Sequence, residues 1–272
     1  MAASAYLDAS WTLDRPELAE AALAALEFAW RECRDAESGA MFRYHDGAPH
    51  VPGLLADQAH TARALLDAHE VTGASAHLER AEALARLMLD RFADRQGDGP
   101  TAGFFDVWDG GDSLGRLSER QKSIQENAVC AEVFVRLHHL TRDEEHGQAA
   151  RATLEAFAPS YHAFGYFAAG YARQVDLLLN PPAAVNIVGA PGDEGARALH
   201  RAALRLDVPF RIVQLLDPER DAARLEALYL PPKPAPAAYV CLGTMCSPPV
   251  NEPQALADAV AKMRAAASQP SQ

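Results

Sequence analysis

The sequence predicts a mainly α-helical chain: stacked helical hairpins over its first two thirds, closed by a small α/β module with a parallel sheet. Three observations predict it. Apolar residues recur at three- and four-residue steps from Ala19 to about Leu179. A unit of loop, helix, short turn and helix repeats. Beyond Asn180-Pro181-Pro182 the pattern changes to short apolar runs alternating with helical ones.

In chain order, Asp14 and Glu17 have capping-box spacing and Pro16 suits a first helical turn, so a first helix is expected from Asp14. Ala19, Leu23, Leu26 and Trp30 form its stripe. A second helix follows Pro52, with Leu55, Ala59, Ala62 and Leu66 on one face, and stops at Thr72-Gly73. A third runs from about Ser75 to Phe92, and a fourth from about Ser118 to Leu140 with Val129, Val133 and Leu137 aligned. Thr141 and Glu144 again have capping-box spacing and open a fifth, ending near Phe157; a sixth spans about Tyr161 to Leu179. Six helices thus precede Asn180. Strands are expected at Val185–Val188, Phe210–Leu215 and Ala238–Val240, with helices at 193–206, 218–228 and 253–266. PPKPAP at 231–236 reads as a stiff connector. The domain boundaries are 10–180 and 183–268.

The repeat is visible residue by residue. Asp57-Gln58-Ala59 corresponds to Glu126-Asn127-Ala128, an offset of 69 that also pairs His69 with His138, Thr72 with Thr141, His77 with His146 and Ala81 with Ala150. The preceding loops match at a different offset, Phe42, Asp46 and Gly47 with Phe105, Asp109 and Gly110. Stacking such units buries a continuous core. Connections alternate between short (TGAS, TRDE) and long (34–52, 93–117), so the long loops gather at one end of the stack, where sites are commonly built.

Composition excludes several classes. A formal net charge of -12 repels phosphate backbones and anionic headgroups, so neither nucleic acid nor a membrane is expected as partner. Charged residues or His interrupt every apolar run, and MAASAYLDASW has no basic flank before an apolar core, so a cytoplasmic protein is expected. Four cysteines are too few for a disulfide scaffold. Cys241 and Cys246, separated by four residues, match neither a CxxC redox motif nor a zinc knuckle, and are expected to be reduced and metal-free. Gly189, Gly192 and Gly195 give GxxGxxG, not the dinucleotide fingerprint; no P-loop or HExxH cluster is present, and no cofactor or metal is expected.

GLLADQAHTARALLDAHEVTG (53–73), GFFD (103–106), RQKSIQENA (120–128), RLHHLT (136–141) and AYVCLGTMCSPPV (238–250) resemble the C-terminal part of the thioredoxin-domain-containing proteins related to spermatogenesis-associated protein 20. The resemblance covers about residues 11–260. It implies a partial α/α toroid of the six-hairpin glycosidase type. The family's thioredoxin-like domain has no counterpart in these residues, and VCAEVF (129–134) stands where a small-residue and asparagine segment is expected.

In such a toroid the inner helices point their N-terminal ends at a central cavity. That places Asp57, Gln58 and His60, then Arg120, Lys122, Glu126 and Asn127, at the rim, with Phe42, Tyr44, Phe105, Asp106 and Trp108 in the loops above. Carboxylates beside aromatics suit sugar chemistry, one carboxyl as acid and the other as base or nucleophile, and His60 is an alternative acid/base group. Against this stands a structural reading. Asp57 and Glu126 then only satisfy loop amides or pair with Arg120 and Lys122, and the aromatics only pack. Two functions follow: an accessory protein that binds a partner or small ligand, or a carbohydrate-active epimerase, isomerase or hydrolase. A thiol oxidoreductase ranks third. Six helices are half of a twelve-helix ring, so a homodimer, or a partner chain completing the ring, is also expected.

Overall fold

The computed structural model describes residues 1–95, 102–108, 119–231 and 236–267. The chain is mainly helical with a small mixed sheet. Among the described residues seven α-helices precede Asn180: α1 (Ala2–Thr12), α2 (Pro16–Glu32), α3 (Leu55–Thr72), α4 (Ser75–Arg91), α5 (Ile124–Thr141), α6 (Glu144–Glu155) and α7 (Ala169–Leu179). A 3-10 segment, Tyr161–Ala168, leads into α7. Consecutive helices pack as hairpins, while α3 packs on both α1 and α5, and α5 on α7. One row of helices (α1, α3, α5, α7) is therefore backed by a second (α2, α4, α6). Leu65, Leu66, Leu84, Met88, Phe134 and Leu137 fill the space between the rows.

The helix count and several ends differ from the sequence reading. α1 was not expected, because its buried side chains include Ser4 and Ser10 and its only large buried apolar residue is Leu7. Leu7 packs on Ala22, Leu26, Ala64 and Ala68. Asp14 does not cap α2: it adopts φ 57 and pairs with Arg205. α5 starts at Ile124, capped by Ser123, whose Oγ accepts from the Glu126 amide at 3.3 Å. The expected start at Ser118 lies outside the described residues, as do Asp109, Gly110 and most of the 231–236 connector. Asp143, not Thr141, caps α6, accepting from the Glu145 amide at 2.9 Å.

Thr141 serves the turn instead, and here the repeat gains a physical meaning. Thr72 Oγ1 donates to the Ala68 carbonyl at 2.6 Å and accepts from the Ala74 amide at 3.1 Å. Thr141 makes the same pair of bonds to Leu137 and Asp143, at 2.8 and 3.2 Å. His69 donates to the Ala74 carbonyl at 3.0 Å, and His138 to that of Asp143 at 2.9 Å. Gly73 and Arg142 follow the threonines with φ of 68 and 63, the left-handed conformation that ends each helix. The recurring His and Thr thus encode one interhelical turn twice.

Past the Pro pair come β3 (Ala183–Val188), α8 (Glu194–Leu204), β4 (Arg211–Leu216), α9 (Ala222–Ala227), β5 (Ala237–Leu242), β6 (Met245–Cys246) and α10 (Leu256–Ala267). A two-stranded ribbon, β1 (Tyr44–His45) and β2 (Pro49–His50), decorates the loop before α3. The expected parallel sheet is mixed. Strand order is β4-β3-β5-β6; β3 and β4 are parallel, but β5 runs antiparallel to β3 and β6 to β5. Both faces of β3, β4 and β5 are covered, so their apolar runs carry no signal of direction.

The expected reduced state of Cys241 and Cys246 is also overturned: they form a disulfide, with Cα atoms 4.0 Å apart. A two-residue turn, Gly243-Thr244, sets Cys241 directly opposite Cys246. The spacing of four intervening residues is the signature of that hairpin, not of a redox or zinc motif.

The two parts meet through α3, α5 and β4. Ile212 belongs to the helical core, and Gly73 lies against Leu215. A Cβ on Gly73 would stand 2.9 Å from Leu215 Cβ, at a φ that disfavours side chains. Gly73→Ala is expected to cost about 1–3 kcal/mol in urea unfolding. A loss below a few tenths would mean that this contact is loose.

Candidate functional site

The loops before α3 and α5 are held by one device used twice. Gln58, in the first turn of α3, accepts from the Met41 amide at 2.8 Å. It donates to the carbonyls of Met41 and Leu54 at 2.9 and 3.0 Å. Asn127, in the first turn of α5, accepts from the Phe104 amide at 2.7 Å and donates to the carbonyls of Phe104 and Ser123, both at 2.9 Å. Each amide side chain completes a strand-like pairing with an incoming loop and satisfies a carbonyl of its own helix end. Both are buried, so each replaces backbone partners that water cannot supply.

Other rim residues also hold the loops. Asp106 accepts from the Gln121 amide at 2.8 Å, and its carbonyl accepts from the Leu55 amide at 2.9 Å. Lys122 pairs with Asp94 and donates to the Ala102 carbonyl at 2.7 Å. Arg120 donates to the Val107 carbonyl at 3.1 Å and lies 4.1 Å over the Phe105 ring, with Lys122 also near that ring. Trp108 packs against Phe92 and over Gly53, where any Cβ would meet its indole at 2.3 Å. Phe42 is partly buried, its amide bonded to the Cys33 carbonyl. Tyr44 stands exposed, stacked on His50 at 5.0 Å.

Asp57, His60 and Glu126 remain. Asp57 Oδ1 accepts from Arg43 at 3.2 Å, while its Oδ2 is buried with no hydrogen-bond partner among the described residues. Glu126 Oε2 and His60 Nδ1 are in the same condition. Burial raises the Asp57 carboxyl above its ordinary range against the opposing charge of Arg43. Burial raises Glu126 too, reinforced by the charges of Asp106 and Asp57, so these three carboxyls share one neighbourhood. Burial, then the charges of Arg63 and Arg43, hold His60 down at about 4.

Along α3, residues 57, 60, 63, 67 and 70 follow at three- and four-residue steps and form one stripe. Asp57, His60, Arg63, Asp67 and Glu70 occupy it. The matching stripe on α5 carries Glu126, Val129, Glu132 and Arg136. Arg63, Asp67 and Glu70 of the first stripe and Glu132 and Arg136 of the second line a cavity of about 430 Å³ together with Asp8 of α1, Arg173 of α7 and Arg211 of β4; Asp57, His60 and Glu126 are not among its lining residues. Arg136 donates to Asp67 at 2.7 Å and to Glu70 at 2.6 Å. Glu132 accepts from Arg173 at 3.1 Å and stands 4.0 Å from Arg63. Burial alone would lower Arg136; the charges of Asp67, Glu70 and Glu132 override it and keep the guanidinium charged.

Sequence reasoning did not single out this lower basin. The signal was present in the repeat: the offset of 69 that relates Asp57 to Glu126 also relates Arg63 to Glu132 and Asp67 to Arg136. Opposite charges at equivalent places on neighbouring helices become ion pairs once the helices stack side by side. Among the described residues, no group of three or more His, Cys, Asp or Glu side chains is arranged to hold a metal ion. No helix of the described residues is long and apolar enough to cross a membrane. Compared with protein-family models and with curated protein sequences, the chain finds no match in either.

Two outcomes follow. Gln58→Ala and Asn127→Ala should each cost about 2–3 kcal/mol in chemical unfolding, because each strands buried loop amides and carbonyls. A cost under 1 kcal/mol would show that water replaces the clamp. His60 should titrate near 4 by NMR. Its folded pKa is depressed, so its contribution to stability is present above about pH 6.5 and lost as pH falls toward 4. A midpoint between 6 and 7 would place the imidazole in solvent.

Proposed function

We propose that the protein is an accessory, ligand-binding relative of the thioredoxin-fused toroid family, built on a partial α/α toroid. It binds a small, sugar-like polar molecule at the α3–α5 stripe. One observation carries the reading. At equivalent positions of the repeat, Asp57 and Glu126 each keep one buried oxygen without a partner among the described residues, and His60, one turn along α3 from Asp57, keeps one such nitrogen. Buried polar atoms in a native fold normally find partners, so those without a protein partner call for an ordered water or a bound ligand. Hydroxyl groups of a polyol donate to carboxylate oxygens and accept from an imidazole N–H, so they match all three atoms. Farther along the same two helices, the ion-paired Arg63, Asp67, Glu70, Glu132 and Arg136 line a polar cavity of about 430 Å³, large enough for one small molecule.

A second reading is favoured by a separate observation. Both carboxyls are held above the usual carboxylate range, and His60 is held neutral. A carboxyl whose pKa is raised holds its proton to higher pH than a free one and suits a general acid, and a neutral imidazole suits a base. In this reading the site belongs to a carbohydrate-active enzyme, with the roles of acid and base divided among Asp57, Glu126 and His60.

A thermal-shift panel of monosaccharides, sugar acids and sugar phosphates, followed by calorimetry on any hit, tests the binding reading. Asp57→Asn and Glu126→Gln should each weaken the hit at least tenfold. Their melting temperatures at neutral pH should be equal to or above the parent's, since both changes remove a charge that burial disfavours. Binding unchanged in both variants would overturn the reading. Appearance of a new sugar species by NMR, abolished by either variant, selects the enzyme.

A further inference from the structure

The β5–β6 hairpin carries chemistry that the α3–α5 site does not use. Its two bonded sulfurs have different surroundings. Cys241 is buried, on the sheet face that also presents Tyr239 and packs on Leu225 and Leu228. Cys246 lies on the two-residue edge strand and is exposed. Asn186 Nδ2 donates to Cys241 Sγ at 3.6 Å. Asn186 Oδ1 accepts from Gln214 Nε2 at 2.9 Å, Gln214 Oε1 accepts from Arg224, and Arg224 also donates to the Leu140 carbonyl at 3.5 Å. A buried polar chain therefore crosses β5, β3 and β4 from the disulfide to the last turn of α5. The hairpin tip reaches the same place by a second route: Arg142, which ends α5, donates to the Gly243 carbonyl at 3.3 Å.

We propose that Cys241–Cys246 is a thiol–disulfide exchange site, opened by a dithiol reductant from the Cys246 side, and that its reduction loosens the hairpin's hold on the C-terminal end of α5. Access selects the sulfur attacked. A thiolate of the reductant bonds to Cys246 Sγ, the Cys241–Cys246 bond breaks, and its electron pair leaves on Cys241 Sγ. Asn186 Nδ2 already donates to that atom, so the negative charge forms facing a donor. The reductant's second thiol, on losing its proton, attacks the mixed disulfide and releases Cys246 as thiolate. The reductant leaves as its own disulfide, and the protein has gained two electrons and, from solvent, two protons. With the covalent tie gone, β6 keeps its short ladder to β5 and the Ser247–Val240 and Val250–Ala238 pairs that follow it, while the two-residue tip is freed and the Gly243 carbonyl is no longer fixed opposite Arg142.

The full chain is equilibrated in mixtures of reduced and oxidised dithiothreitol, alkylated briefly and mapped by mass spectrometry, with hydrogen exchange measured at both extremes. Cys241 and Cys246 should become alkylated together while the buried Cys130 stays protected. Exchange should then rise at 242–247 and at 139–143, with little change in α1 and α2. Asn186→Ala should slow reduction about tenfold at equal dithiol concentration. An unchanged rate in that variant would overturn the leaving-group role. The proposal as a whole is overturned if the pair reacts only in denaturant that also exposes Cys130, or if exchange at 139–143 is the same in both states. The wild-type measurements decide this even if Asn186→Ala does not fold.

Discussion

The carboxylate of Glu70 lies buried where α3, α5 and β4 meet. One oxygen accepts from Arg136 at 2.6 Å and the other from the Val213 amide at 3.3 Å, while its own backbone carbonyl accepts from His200 at 2.7 Å. A buried charge without partners costs several kcal/mol, so losing any one of these contacts weakens the case for burying the others. Burial pushes the Glu70 carboxyl upward, and the Arg136 charge opposes it. The pair thereby links three events: docking of α5 beside α3, docking of the sheet under both, and placement of α8. The charged basin exists because this node brings its acidic and basic residues to one level.

Above the node, the two inner helices present the same rim because the same local rules act twice. Gln58 and Asn127 fix the incoming loops at one end. The His-Thr turns fix the exits at the other. Helices held at both ends by equivalent bonds stand side by side in register. Residues 69 apart then become neighbours across the α3–α5 seam, as Asp67 and Arg136 show at 2.7 Å. The oxygens of Asp57 and Glu126 that have no partner among the described residues are consequences of the same register. Loop-holding consumes the other polar side chains of the rim, and these two carboxyls and His60 are what it leaves over.

The lower module has a polar logic of its own. Asn186 and Gln214 lie side by side on adjacent strands in a sheet whose other buried positions are Val, Ile, Leu and Ala with Tyr239 and Cys241. Such residues are tolerated only when each donor and acceptor is answered, and here the answers run from a sulfur at one end to the α5 terminus at the other. Ties between the helical and α/β parts thus include one region centred on Glu70 and one on the end of α5.

Much of this was legible in the chain itself. Helical periodicity and the change of pattern beyond the Pro pair at 181–182 are local signals, and they gave the helical hairpins and the strands. The repeat identified α3 and α5 as equivalent, and so singled out Asp57 and Glu126. What a side chain meets across space was not legible. Gln58 and Asn127 read as ligand-facing polar groups until their loops are seen folded onto them. α1 is amphipathic only toward Leu26, Ala64 and Ala68, which are distant in sequence. Strand direction is invisible where both faces are apolar, and Cys241 finds Cys246 only because β5 turns back through Gly243-Thr244. Periodicity reports which faces are buried. Which partner each face meets is decided by long-range packing, and that information appears only when the chain has closed on itself.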